Sequence, residues 1–451
     1  MNKQARDLPI IVGAGPSGLM AAIVLAEAGQ KCLVIERQKL PGGKLPVTGG
    51  GHCNLTHRGT PIELSLAYHE SARFMKHTLK AFGCEDLRQF MRELGLQTYY
   101  DEKDCCYPRS RRAEDVVITL YKAALRLGVQ FLFGYELKGL RYFADDDCYE
   151  YQLRKVKGDR QPAKWPRLEK LETIQQAQTV NKPSDNKLHR CPAVILAAGS
   201  PAFYKNSDAP TAISELDLLA DMTQPFTAAL YALEDTQFSS LAGISLDSAR
   251  LSLREPSGKV ILEECESMLF THQGISGPLA LNFSRHLSVL ESAGDLTVKL
   301  DFCPSISEAE LLERIDYGRS QEARSRVISK LVEELPRRVW PFIMEKSGLD
   351  PALRFADCSK RDARALIDSL KSLPLSIQAE ENLERGMLAR GGIRLSELNS
   401  KTLEFKQYQG LYACGECLDV DGRCGGYNLQ MAFSTGYLAA TALGKKYSEK
   451  N

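Results

Sequence analysis

Behind a short charged leader runs a continuous apolar stretch, residues 8–12, rich in β-branched side chains. So short a run without polar alternation predicts a strand buried on both faces. A helical stretch, LMAAIVLAEAG, follows and ends at Gly29, and KCLVIE then resumes an apolar strand that stops at Glu36. Polar helices are predicted at roughly 70–82 and 85–94, an amphipathic helix at 113–128, and two short strands in VQFLFGYELKGL. Residues 145–190 are charged, glutamine-rich and poor in aliphatics, which predicts a hairpin with a long loop. PAVILAAGS (192–200) reads as a buried strand ending in a glycine turn. From about 224 to 303 the alternation in FTAALYAL, ARLSLRE, KVILEECESMLFT and LTVKLDF predicts a β-rich, barrel-like domain. Residues 306–371 change to a helical pattern, and 390–443 return to strand, glycine and helix.

This order predicts an α/β protein with a discontinuous Rossmann-type domain interrupted by an inserted domain of two parts. The expected boundaries are 1–200 and 390–451 for the nucleotide domain, 201–305 for the β-rich insert and 306–372 for a small helical subdomain. Residues 373–389 serve as return strand and linker. At 451 residues the chain is long enough for more than one core.

Composition narrows the class without naming a chemistry. The net charge is +1, so neither nucleic acid nor an anionic membrane is an obligatory partner, and a small-molecule substrate is expected. Oligomeric state is left open. Thirteen cysteines are too sparse for a disulfide scaffold, and their odd number suits a reduced, cytoplasmic protein. The leader MNKQARDLP before IIVGAGPSG has the outline of a signal peptide. Three spaced glycines and Pro16 within the apolar stretch argue for a nucleotide site instead.

Gly13, Gly15 and Gly18 stand at G-x-G-x-x-G spacing between strand and helix, and Glu36 follows the third glycine by 18 residues. Gly13 permits the tight turn, Gly15 admits a pyrophosphate against the backbone, and Gly18 lets helix and strand pack closely. The helix N-terminus offers unpaired N–H groups to the phosphates, and Glu36 accepts from a ribose hydroxyl pair. A second constellation closes the chain, GLYACGECLDVDGRCGGYNLQMAFSTGYLAA (410–440). There a strand ends in Cys414-Gly415-Glu416, a loop carries Asp419 and Asp421, and Gly425-Gly426 precede a helix starting near Asn428.

Four separated stretches resemble a bacterial family of FAD-dependent oxidoreductases, the BaiN/YhiN-type or aminoacetone-oxidase-like proteins of the glutathione-reductase-type superfamily. They are the N-terminal fingerprint, TGGGHCNLT (48–56), FTHQGISGPLAL (270–281) and GLYACGECLDVDGRCGGYNLQMAFSTGY (410–437). The resemblance implies FAD at the first motif, with NAD(P)H as a possible transient donor. It implies that Glu416 binds the ribityl chain and that the helix near Asn428 faces the flavin pyrimidine. The cofactor set it implies adds Ala14, Pro16 and Ser17 in the fingerprint and Arg37 after the acid. From the glycine-rich loop come Lys44, Thr48, Gly49, Gly50, Gly51, Cys53 and Asn54. Leu137, Ala198 and Gly199 come from the middle of the domain, and Gly415, Asp419, Gly425, Gly426, Leu429 and Gln430 from its end. The sequence also departs from the family pattern. Pro46 interrupts the usual Lys-Leu-Leu, His52 replaces an arginine, and SPAFYKNSDAPTAISELDLL replaces a glycine-rich segment.

Other chemistry stays open. Cys414 and Cys417 form a C-x-x-C that reads as a structural pair, a redox dithiol or half a zinc site. Cys53 is expected to open a helix beside the flavin, either packed under the cofactor or activated by the helix N-terminus. Thr271, His272 and Ser276 in THQGISGP are the expected substrate residues, at the junction of insert and flavin domain. His272 is either a proton carrier, with an unperturbed pKa near 6.5, or a structural residue of a tight turn. The expected activity is hydride transfer between flavin N5 and a small organic substrate. The alternatives are a flavin enzyme acting on RNA and a flavoprotein redox sensor without turnover.

Overall fold

A computed structural model describes residues 8–156, 187–204, 213, 216–287, 296–377 and 382–450. The chain divides into two units, Met1–Thr227 with Asn382–Asn451, and Ala228–Glu381.

The first unit is built on a five-stranded sheet. In spatial order its strands are Leu411–Ala413, Val194–Leu196, Ile10–Val12, Leu33–Glu36 and Gln130–Phe133, all parallel. The first four are buried throughout, as apolar runs without alternation require. Helix Pro16–Glu27 packs against helix Tyr427–Lys450, and glycine sets their approach. A Cβ at Gly436 would lie 2.4 Å from the Ser17 carbonyl oxygen. Helix Ala113–Arg126 buries Val116, Val117, Leu120 and Tyr121 in the same core.

The hairpin expected in 145–190 is present as Cys148–Lys155 and Leu188–Cys191, joined by Tyr135–Phe143 in a three-stranded antiparallel sheet. Its long loop lies outside the described residues. Strand Thr223–Ala229 pairs with Leu388–Ile393. The insert therefore begins near 228 rather than 201 and runs to about 381 rather than ending at 372.

The second unit carries a six-stranded antiparallel sheet. Its strands run Leu233–Glu234, Gly274–Ser276, Val260–Phe270, Ser245–Arg254, Thr297–Asp301 and Leu373–Leu375. Helices Glu308–Gln321, Trp340–Ser347 and Lys360–Lys371 share one core with this sheet, so 306–372 is not a separate subdomain. Phe302 shows why. Its ring lies 6.1 Å from that of Phe270 on the sheet and 6.3 Å from that of Phe342 on a helix. A buried ion pair, Lys371 to Asp301 at 2.8 Å, ties the last helix to the sheet as well. The expected return strand is present as Leu373–Leu375; it completes this sheet and so belongs to the insert.

Candidate functional site

A groove of about 1130 Å³, mouth included, runs over the first unit at the C-terminal ends of its parallel strands. Gly13, Gly15, Pro16 and Ser17 form its floor at the start of helix Pro16–Glu27. No side chain caps that helix, so its first N–H groups remain free for an anion. The three fingerprint glycines act differently. A Cβ at Gly13 would lie 2.3 Å from the Ala197 carbonyl oxygen, and one at Gly18 would lie 1.9 Å from that of Gly13. A Cβ at Gly15 would meet nothing within 4 Å. Gly13 and Gly18 are demanded by the protein's own packing, and Gly15 opens onto the groove. This cradle fits the diphosphate of a dinucleotide.

Glu36 lines the groove with only 5% exposure. Its Oε2 accepts from the Ala14 N–H at 2.6 Å and its Oε1 from the Gln38 N–H at 2.8 Å. Burial pushes this carboxyl above the usual range, while those N–H groups and Arg37 pull it down. Each oxygen keeps lone-pair capacity for a ribose hydroxyl. Arg37, Leu137, Tyr135 and Glu136 border the same end, where Glu136 bonds Arg154 at 2.6 Å.

At the other end stands Glu416, with Thr48, Ala198, Gly199, Asn428 and Leu429 also on the lining. Lys44 Nζ forms an ion pair with Glu416 Oε1, and the Ser200 hydroxyl donates to the same oxygen at 2.8 Å. Lys44 also donates to the Met387 carbonyl at 3.3 Å. Among the described residues Glu416 Oε2 has no hydrogen-bond donor, so it is the oxygen left for a ligand hydroxyl. Lys44→Met should therefore weaken FAD by ~1.5–3 kcal/mol, roughly 10- to 150-fold, because a half-buried carboxylate loses its counter-charge. Titrating apoprotein with FAD checks this; an unchanged dissociation constant would refute it.

Several residues of the expected cofactor set sit behind the lining. Ala14 orients Glu36, and Gly18 seats the helix. The Gly415 N–H donates to Thr435 Oγ1 at 2.9 Å, and a Cβ there would lie 2.3 Å from Ser17 Oγ. Asp419 Oδ1 accepts from the Gly391 N–H at 2.9 Å. Gly426 packs so closely on the Thr56 backbone and Asn54 that a Cβ would lie 2.6 Å from Asn54 Oδ1, and Gly425 precedes it at φ 131°. Gln430 is buried and donates to the Phe82 carbonyl at 3.2 Å. Gly49, Gly50 and Gly51 turn the chain with positive φ at the end of the 3₁₀ segment Leu45–Gly51.

Cys53 is a correction. It follows that 3₁₀ turn instead of opening a helix, lies fully buried at φ 58°, and has its thiol pushed up to about 12 by burial. That shift is opposite to activation by a helix N-terminus. Iodoacetamide at mildly alkaline pH should leave Cys53 unlabelled in the native protein while exposed Cys265 reacts; equal labelling would reveal an activated thiol. Cys414 and Cys417 are likewise buried with raised thiols, and Cys417 Sγ donates to the Cys414 carbonyl at 3.2 Å, a structural arrangement.

The sequence reasoning missed Gln38, Gly43, Ser200, Tyr204, Met387 and Leu388 on the lining. Ser200 and Tyr204 follow the predicted glycine turn, which was a usable signal. Met387 and Leu388 come from the return segment, where no motif marks them. In the second unit Thr271 Oγ1 accepts from the N–H groups of Gln273 and Gly274, at 3.3 and 3.1 Å, and holds a stiff turn. On it His272 is exposed, and Ser276 immediately precedes helix Gly277–Ser284.

No helix among the described residues is long and apolar enough to cross a membrane. Residues 8–160 match the HI0933-like protein Rossmann domain, and residues 225–387 match the HI0933-like protein barrel and H2TH domain. A 3-dehydro-bile acid delta(4,6)-reductase of Clostridium scindens is 27% identical over 448 residues, 97% of this chain and 98% of that protein. A ribosomal RNA dihydrouridine synthase of Haemophilus influenzae is 26% identical over 443 residues, again 97% and 98%. Among solved structures, a 3-ketosteroid delta1-dehydrogenase of Sterolibacterium denitrificans covers 97% of this chain and 99% of its own at 10% identity, TM-score 0.49. Two domain matches in the order of the fold, over a groove whose open glycine and flanking acids fit FAD, assign the protein: the chain belongs to the HI0933-like family of FAD-dependent oxidoreductases.

Proposed function

We propose that the protein moves a hydride between FAD and a small organic molecule. When bound, FAD supplies hydride transfer at its N5. The chain's own part is position and charge. The open backbone at Gly15 receives the diphosphate, Glu36 the ribose, and Glu416, clamped by Lys44 and Ser200, the ribityl hydroxyls. His272 is offered as the proton-handling side chain, since its exposed imidazole stands on a turn held by the Thr271 hydroxyl.

RNA is the second reading, because relatives from Haemophilus influenzae and Escherichia coli are named ribosomal RNA dihydrouridine synthases. One observation favours the small molecule. The insert, residues 228–381, carries 24 acidic and 18 basic residues, so the basic excess lies in the remainder of the chain. An acidic domain of this size repels a polyanion, whose binding rests on neutralised phosphates. The Clostridium scindens relative, a reductase of a bile acid by name, supports the same choice.

Anaerobic stopped-flow reduction tests the reading. A panel of small donors and acceptors should include at least one that bleaches or restores the flavin band within seconds. NADH and NADPH should act slowly, because the sequence has no second G-x-G-x-x-G. His272→Ala should keep its FAD and lose turnover with that molecule. Turnover confined to uridine-containing RNA would overturn the proposal.

A further inference from the structure

Residues 109–112 read Arg-Ser-Arg-Arg, and all four are exposed. They turn the chain from strand Cys105–Pro108 into helix Ala113–Arg126. Among the described residues none of the three arginines forms an ion pair. Their neighbours behave otherwise. Arg58 pairs with Asp104 at 2.9 Å and Arg88 with Glu85 at 3.0 Å. The carboxylates around the turn are committed elsewhere. Asp101 Oδ1 accepts from the N–H groups of Lys103 and Cys105, and Glu114 and Asp115 occupy the first helical turn, where free N–H groups favour them. Three cations in four residues thus stand without an ion pair among the described residues, and the Asp101 carboxylate acts on Arg111 only through space.

Arg111 is also held in place. Its backbone sits at φ 50°, a left-handed conformation that non-glycine residues adopt at a cost and that clusters at ligand-binding sites. Its guanidinium lies 4.7 Å from the Tyr107 ring centroid and 5.6 Å from that of Tyr99, and its Nε donates to the Tyr99 hydroxyl. The two terminal nitrogens make no hydrogen bond among the described residues, and they form the fork that matches an oxyanion. The Arg111 carbonyl bonds His52 Nδ1 at 3.1 Å, and His52 closes the 3₁₀ segment whose Leu45 and Thr48 line the cofactor groove. The arginine turn is thus hydrogen-bonded to the residue that follows a groove-lining segment.

We propose that Arg109, Arg111 and Arg112 dock the anionic end of the substrate, a carboxylate, sulfonate or phosphate ester carried on a small organic body. This rests on the small-molecule reading above and adds a charge to that substrate. The stacked, strained Arg111 supplies the oriented fork, and Arg109 and Arg112 add attraction from either side. One compact turn suits one anionic group.

The test uses FAD-loaded protein with two matched probes, naphthalene-2-sulfonate and the neutral naphthalene-2-sulfonamide, followed by calorimetry. The sulfonate should bind about tenfold more tightly or better, as charge-assisted hydrogen bonds to guanidinium imply. The preference should vanish in the triple variant R109Q/R111Q/R112Q and persist in Lys122→Gln, an exposed lysine on the same helix. Both variants should keep the flavin spectrum, which separates lost docking from lost fold. Equal affinity for the two probes, or a preference that survives in the triple variant, overturns the proposal. So does a single-stranded oligoribonucleotide that binds far more tightly than the sulfonate through the same arginines. If no small molecule ever reduces or reoxidises the flavin, the hydride-transfer reading fails while these binding ratios stand on their own.

Discussion

A Gly15→Val variant should fold normally and purify without flavin. The backbone there, φ −72° and ψ −174°, is extended and open to valine, and a Cβ would meet no atom within 4 Å. The protein loses only part of an N-cap preference, about 1 kcal/mol or less. The added methyls occupy the space through which a diphosphate reaches the first N–H groups of helix Pro16–Glu27. Loss of that contact should lower FAD affinity by ~4 kcal/mol or more, about a thousandfold. FAD per chain after purification, together with a thermal melt of the apoprotein, decides the matter. A variant with one FAD per chain would show that the groove holds its ligand elsewhere.

Gly18→Ala should do the reverse. Its Cβ would sit 1.9 Å from the Gly13 carbonyl oxygen and 3.3 Å from Ala197 Cβ, and the first of these is backbone that cannot swing aside. Helix and strand must separate, at ~3 kcal/mol or more. Urea unfolding of the loaded protein should show that loss, or the variant should fail to accumulate as soluble protein. Wild-type stability would mean that the fingerprint turn is looser than its geometry. The pair of variants distinguishes a glycine kept for the ligand from one kept for the fold, though both belong to the same motif.

Much of the first unit could be read along the sequence because its signals are local. Strand Ile10–Val12, the glycine turn, helix Pro16–Glu27 and Glu36 fall in one short stretch whose period and spacing carry the meaning. The second acid, Glu416, was legible only through the resemblance, since strand, glycine and acid are common together. What escaped depends on long-range approach. Ser200 and Glu416 meet across 216 positions, and Lys44 reaches Glu416 across 372. Nothing near Ser200 in the chain announces a carboxylate. The insert's boundaries failed for a related reason. Alternation marks Thr223–Ala229 as a strand but cannot say that its partner is Leu388–Ile393. Cys53 was misplaced because a positive φ at a non-glycine residue has no compositional signature.

The groove draws its lining from Val12 at one extreme of the chain and from Met431 and Ala432 at the other. Strand Leu411–Ala413, the edge of the parallel sheet, also arrives late. A ribosome that has made the fingerprint must still add the insert and the closing segment, which at about 5–20 residues per second takes roughly 20–80 s. During that interval the nascent chain has a glycine turn but no complete site. Cofactor loading is therefore an event that follows translation of the closing helix, and prematurely terminated chains should emerge without flavin, their half-built sheet edge open to aggregation and proteolysis.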